Sequence, residues 1–185
     1  MAVSSPSTYS MRAAALGDRL MEFVNGLTHA ATFGVLIADQ GKGRVMADAQ
    51  GTAAVLYNLT KEDIALFHKG VVKMGEICWA AGAKRVQPTY LGHHDYASRA
   101  EWKRFVAHTP APGDLALTSY HPLGTCRMGT DPRTSVVDLD HETHDAKGLF
   151  LVDGSVVSGP LGVNPQLTIM AVATRAADRI AATLG

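Results

Sequence analysis

Cysteine is scarce, with only Cys78 and Cys126 among 185 residues. Two isolated thiols make no disulfide framework, and reduced thiols in a cytoplasmic protein are the simpler expectation. Long hydrophobic runs are missing as well; charge interrupts each one short of the ~20 residues that a membrane-spanning helix needs. Neither sign of charge is in excess. Seventeen basic residues balance seventeen acidic ones, which excludes a basic stripe for nucleic acid and a polybasic segment for a membrane surface. Met1–Ser10 lacks the positive and apolar regions of a secretory signal. No internal repeat and no low-complexity tract is found. What is present is ordinary globular material: 46% hydrophobic and 18% charged residues, enough for a core. The length suits one domain and a piece of another.

Residues 1–10 read as a flexible lead. From Met11 to Ala31 helix formers dominate but are interrupted by Gly17 and Gly26, so one or two short helices are expected. Phe33–Asp39 reads as a strand, Gln40–Gly43 as a glycine-rich reversal, and Arg44–Ala47 and Ala53–Leu59 as two further strands parted at Gly51. Thr60-Lys-Glu-Asp63 resembles a capping box. After it Ile64, Phe67, Val71, Met74, Cys78 and Ala81 recur at three- and four-residue spacing, which predicts an amphipathic helix on a sheet, ended by Gly82. Arg85–Tyr90 and Leu115–Tyr120 are strand candidates, and Ser98-Arg-Ala-Glu101 starts a short helix to Phe105.

The chemistry concentrates in the last third. His121 stands at the end of a strand between Tyr120 and Pro122, where a histidine is suited to accept a proton near neutral pH. Taken alone, such a histidine is more often a satisfied strand-end residue. Further on, Leu149–Val152 is continuously apolar, as in a strand covered on both faces. Asp153-Gly154 stops it, and a loop rich in Gly, Ser and Pro leads to Asn164, a good N-cap, with Pro165 at the first helical position. The helix that follows carries Ile169, Ala173, Ala176 and Ile180 on one face, and its start presents N–H groups and a positive dipole end.

The combination resembles the C-terminal signature of the glucose–methanol–choline (GMC) oxidoreductases. The resemblance is carried by His121-Pro-Leu-Gly-Thr-Cys-Arg-Met-Gly129, Val136-Val-Asp138, Gly148-Leu-Phe-Leu-Val-Asp-Gly-Ser155 and Gly162-Val-Asn-Pro-Gln-Leu-Thr-Ile169. Weaker similarity reaches upstream through Phe33–Asp39, Tyr57–Asp63 and Ala80–Ala83. The long-chain alcohol oxidase and cholesterol oxidase branches are the most similar. The resemblance implies FAD as cofactor and an alcohol or sterol-like substrate. It implies His121 as the active-site base and Asn164 as a hydrogen-bond partner of the substrate oxygen. Asp153 and Gly154 would lie against the ribityl–pyrophosphate part of FAD, and Asn164, Pro165 and Gln166 against the pyrimidine edge of the flavin. Tyr120 and Met128 are placed equally well to line a pocket or to pack.

One part of that family is missing. The dinucleotide fold opens with G-x-G-x-x-G between a strand and a helix, and this chain has only Gly41-Lys-Gly43, inside a hairpin. Three explanations fit that gap: one subunit of a split enzyme, whose expected partner is an FAD-binding polypeptide, a remnant of a disrupted gene, or a fragment of a longer chain. The expected fold is α+β: residues 1–30 as a helical lead, 31–118 as a substrate-binding-type antiparallel sheet with helices on one face, and 119–185 as a catalytic strand and helix that complete a flavin-binding domain. Two other readings stand beside it. One is a non-catalytic remnant or interaction subunit. The other is a metal-binding module using His93-His94 or the pair His141/His144 with Cys126.

Overall fold

A computed structural model describes residues 17–88, 90–91, 95–115 and 119–184, with the side chains of positions 19, 23 and 184 left aside. The expected lead over residues 1–10, the start of the first helical segment and His93-His94 lie outside the described residues. The chain divides into two compact units, Met1–Ile37 with Leu59–Thr118, and Ala38–Asn58 with Ser119–Gly185.

In the first unit a short helix α1 spans Asp18–Asn25 and a 3-10 turn follows at Leu27–His29. Gly26 separates them, as the interruption in helix formers implied. The long helix α2 spans Lys61–Ala80. Both of its ends are set by local chemistry. At the start, Thr60 Oγ1 accepts from the Asp63 N–H at 3.1 Å while the Asp63 carboxylate accepts from the Thr60 N–H at 3.0 Å. Two of the four orphan donors of the helix start are thereby satisfied. At the far end Gly82 adopts φ 87°, and the Ala83 N–H reaches the Cys78 carbonyl while the Gly82 N–H reaches Trp79. That is the Schellman closure, and its left-handed residue is the one that carries no Cβ. A shorter helix α3, Arg99–Val106, begins at Ser98, whose hydroxyl accepts from the Glu101 N–H. The Glu101 carboxylate reaches back one residue further than a capping box, to the Ala97 N–H.

The apolar stripe of α2 does not meet a sheet, as the sequence led us to expect. Ile64 packs in a cluster with Tyr90, Trp102, Phe105 and Leu115, joined by Phe67, Trp79 and Tyr96. Six of the chain's twelve aromatic residues are thus concentrated here. Ring centroids lie 4.7 Å apart for Trp102–Phe105 and 5.0 Å for Tyr90–Phe105, the second edge-to-face. Ala81, placed on the stripe by its spacing, is exposed at the helix end. Arg85–Tyr90 is not a strand. Its described residues make only isolated bridges, Val86 to Tyr96 and Tyr90 to Leu115. Of the expected strand Leu115–Tyr120, only residues 115, 119 and 120 are described.

His68 sits in the same core, its Nδ1 3.1 Å from the Tyr90 hydroxyl. Burial holds its imidazole below the ordinary value of 6.5, reinforced by His108 and opposed by the Val106 and Phe105 carbonyls. Between the lowered value and 6.5 the unfolded chain binds more proton than the folded one, so stability falls as pH drops through that window. The melting temperature of the wild type is expected to drop more steeply below 6.5 than that of a His68→Gln variant. Parallel slopes would contradict it.

In the second unit β1, Lys42–Ala47, pairs antiparallel with β2, Ala53–Asn58, in the register Val45↔Val55. Their connection is built on Asp48, whose carboxylate accepts from the Gln50 and Thr52 N–H groups, with Gly51 at φ 79°. Of the reversal expected at Gln40–Gly43, Lys42 and Gly43 instead open β1. Gly41 and Gly43 lie so close to the Asn58 and Leu56 carbonyls and to Tyr57 that a Cβ would fall within 2.6–2.9 Å of them. Their glycines serve close approach rather than a turn. Phe33–Asp39 forms no strand, although Tyr57 Oη donates to the Asp39 carboxylate beside it.

The rest of this unit is an irregular sheet of single bridges. Residues 126–128 pair with 155–156 through Cys126 N–H to Ser155 and Met128 N–H to Val156. Val137, fully buried, bridges Met128 on one side and Thr143 on the other, and Glu142 bridges Phe150. The strand expected over Leu149–Val152 is reduced to that one bridge. Leu149 is half exposed rather than covered on both faces. Helix α4 then runs Gln166–Leu184. The α+β class holds, with a two-stranded sheet among the described residues.

Candidate active site

Apart from His93-His94, which lie outside the described residues, each candidate site residue singled out by the sequence falls in the second unit. His121 is exposed, in an irregular segment that turns at Gly124, φ 79°. Two residues after it, Leu123 goes inward. Asp153 opens a 3-10 turn at Gly154–Val156, where its carboxylate accepts from the Ser155 N–H at 2.7 Å. The Ser155 hydroxyl and then that N–H hold the Asp153 carboxyl below the usual carboxylate range.

Gly154 is where the pieces meet. A Cβ built on it would lie 3.0 Å from Ile169 Cδ1 and 3.2 Å from Leu123 Cδ2. The segment carrying His121, the Asp153 turn and the first turn of α4 are therefore packed on one glycine, although they are separated by up to 48 positions in the chain. A larger residue there pushes Leu123 and Ile169 apart.

Helix α4 starts one residue later than the sequence suggested. The Pro165 carbonyl accepts the first intrahelical bond, from the Ile169 N–H at 2.8 Å. Pro165 is thus at the cap position, buried, and Asn164 stands outside the helix, exposed, beside exposed Gln166. Ile169, Ala173 and Ile180 are partly covered and Ala176 is fully buried, which is the face their spacing implied. The opposite side leaves Leu167 and Met170 at 81% and 56% exposure.

The sequence did not single out the cleft beside this site. Met128, Leu139, Val156, Val172 and Arg175 line an open cleft of about 420 Å³, together with His141. His141 is fully buried with φ 71°, the one non-glycine residue with positive φ among those described. Tyr120, the other residue suggested for a pocket, is exposed.

His141 and His144 are not on a helix and do not converge. His141 Nδ1 is 3.0 Å from the Leu151 carbonyl, and His144 Nε2 is 2.9 Å from Ser135 Oγ. Among the described residues no group of three His, Cys, Asp or Glu side chains is placed to hold a metal ion. No described helix is long and apolar enough to cross a membrane.

Residues 40–173 match the family model of the GMC oxidoreductases, in their C-terminal domain. The chain belongs to the GMC oxidoreductase family. Among its relatives, an uncharacterized GMC-type oxidoreductase of Mycobacterium tuberculosis is 31% identical over 96% of this chain and 28% of its own length. A long-chain-alcohol oxidase of Arabidopsis thaliana is 30% identical over 80% of this chain and 21% of its own length. A 2-methyl-1,2-propanediol dehydrogenase of Mycolicibacterium austroafricanum is 35% identical over 72% and 20% respectively. The chain spans between a fifth and little more than a quarter of the length of these three relatives.

Proposed function

We propose that this chain supplies the closing, substrate-facing half of an FAD-dependent alcohol-oxidising site whose dinucleotide-binding fold is carried by another polypeptide. The observation that carries the reading is the convergence on Gly154, which packs the His121 segment, the Asp153 turn and the start of α4 together. The names of two relatives support an alcohol as the substrate, since one oxidises long-chain alcohols and the other a diol.

The residues fit one edge of such a cofactor. The first N–H groups of α4, on Gln166, Leu167 and Thr168, have no acceptor within the helix, and the Ile169 N–H is the first to bond back. With the helix dipole they favour negative charge at whatever they face. No pyrophosphate cradle accompanies them, because the sequence has no G-x-G-x-x-G.

Bound FAD would supply the hydride acceptor; the rest falls to this chain. The imidazole of His121, on its exposed segment, takes the hydroxyl proton of the alcohol. Asn164, just outside α4, hydrogen-bonds the same oxygen and fixes its orientation. The Asp153 carboxylate, kept ionised by Ser155, is the acceptor for hydroxyl groups of the cofactor. Leu123 and Ile169, wedged at Gly154, hold these groups in register. Flavin that co-purifies with a two-polypeptide complex but not with the chain alone is the expected result and the test.

A further inference from the structure

At φ 71°, His141 occupies a conformation that disfavours an L side chain and that glycine adopts freely. A local turn imposes it. The Asp138 carboxylate accepts from the Asp140 and Glu142 N–H groups, and the His141 N–H reaches the Asp138 carbonyl. A glycine would satisfy such a turn without strain, so the imidazole has to be explained by what it does.

The ring closes a pair with Leu151. Its Nδ1 lies 3.0 Å from the Leu151 carbonyl, and a carbonyl only accepts, so in the neutral ring Nδ1 carries the proton and donates it. The His141 carbonyl in turn accepts from the Leu151 N–H at 3.1 Å. Both backbone groups of Leu151 are thus held by one residue, with a side chain standing in for a strand neighbour. Nε2 is buried with no hydrogen-bond partner among the described residues, an unfavourable state that persists while Nδ1 keeps its bond. The turn that carries His141 is also fastened to α4. Arg175 donates to the Leu139 carbonyl at 2.7 Å, and Arg179 lies 3.6 Å from the Asp140 carboxylate. Leu151 stands two residues before Asp153. The Asp153 turn and α4 are therefore joined at two places, directly where Gly154 meets Ile169 and again through His141.

We infer that His141 is a positioning residue, whose Nδ1–H bond to Leu151 sets where the Asp153 carboxylate stands relative to the start of α4. This rests on the reading of Asp153 as the acceptor for cofactor hydroxyl groups and adds the residue that aims it. The carboxylate itself reports the geometry. Its lowered titration comes from Ser155, through a hydrogen bond that exists only while the turn is closed.

The test compares two substitutions in the full 185-residue chain. His141→Gly relieves the turn and removes the donor. His141→Asn also gives up the ring, but it tolerates positive φ and places an N–H donor as many bonds from Cβ as Nδ1. The ¹³C titration of the Asp153 carboxyl is expected to move up toward the ordinary carboxylate range in His141→Gly and to stay at the wild-type position in His141→Asn. A residue that served the turn alone would leave the glycine variant unmoved. In the wild type, ¹⁵N shifts are expected to show the Nδ1–H tautomer of His141, a readout that needs no variant to fold. The Nε2–H tautomer, or an Asp153 titration unmoved in His141→Gly, would overturn the positioning role and leave the flavin reading standing. In the flavin-containing complex the dissociation constant of FAD is expected to rise about tenfold in His141→Gly and to recover in His141→Asn. A titration that moves while FAD affinity stays at the wild-type value would overturn the cofactor role of Asp153, and this proposal with it.

Discussion

A His121→Ala variant of the flavin-containing complex is expected to lose about 10²–10⁴-fold in the rate at which an alcohol bleaches the flavin under anaerobic conditions. The size follows from what general-base catalysis contributes when an alcohol must lose its proton as hydride leaves its carbon. Flavin content is expected to stay the same. His121 is exposed and is no part of the packing, which is done two residues later by Leu123 against Gly154. The comparison of Gly154→Val with His121→Ala separates the two contributions. The first displaces Leu123 and Ile169 and is expected to lower both flavin content and rate, whereas the second lowers rate alone. Bleaching by His121→Ala within a few-fold of wild type would mean that the proton leaves by another group and that the histidine is a relic.

The largest stability effect is expected at Gly75, on the inner face of α2. A Cβ there would lie 2.1 Å from Cζ2 of Trp102 and 2.7 and 2.8 Å from two further indole atoms. The indole cannot yield easily, being 4% exposed and flanked by Phe105 at 4.7 Å and Tyr96 at 5.5 Å between ring centroids. Gly75→Ala would gain about 1 kcal/mol of helix propensity and lose more than that to overpacking, which typically costs about 1–3 kcal/mol and more at a rigid neighbour. A melting temperature lowered by several degrees is the expected outcome, with loss of the near-ultraviolet dichroism of Trp102. Gly113→Ala, where nothing lies within 4 Å of the added methyl, serves as the control and is expected to be neutral. Equal melting of the two variants would mean that α2 and Trp102 are not packed in this way.

What was legible in the sequence is what is decided locally. The Thr60–Asp63 box, the Gly82 closure, the turn at Gly51 and the apolar face of α4 are each specified within a few residues. They stand in the structure where the pattern put them, apart from a one-residue shift at Pro165. Strands were less legible because a strand is a partnership. Phe33–Asp39 and Leu149–Val152 have strand composition, yet they find a ladder only if another chain segment lies beside them. The surface on which α2 packs was hidden for a similar reason. Tyr90, Tyr96, Trp102 and Phe105 carry no periodic signal that ties them to residue 64.

The sequence names candidate residues but not the junction that packs their segments together. Nothing local to Gly154 announces that Leu123 and Ile169 close on it. His141 was misplaced by its surroundings: Glu142, Thr143 and Asp145 make the segment read as a polar loop. The one available signal was Asp138, an aspartate able to cap a tight turn, followed three residues later by a histidine, a residue type enriched at positive φ.

The decisive measurement is the visible absorption spectrum of the purified chain, recorded alone and after co-expression with the polypeptide encoded beside it. Flavin bands confined to the co-purified complex are the predicted result, because on the proposed reading α4 and the Asp153 turn would give one edge of the cofactor site and no pyrophosphate cradle. Stoichiometric flavin on the chain alone, or none in either preparation of folded protein, would contradict it.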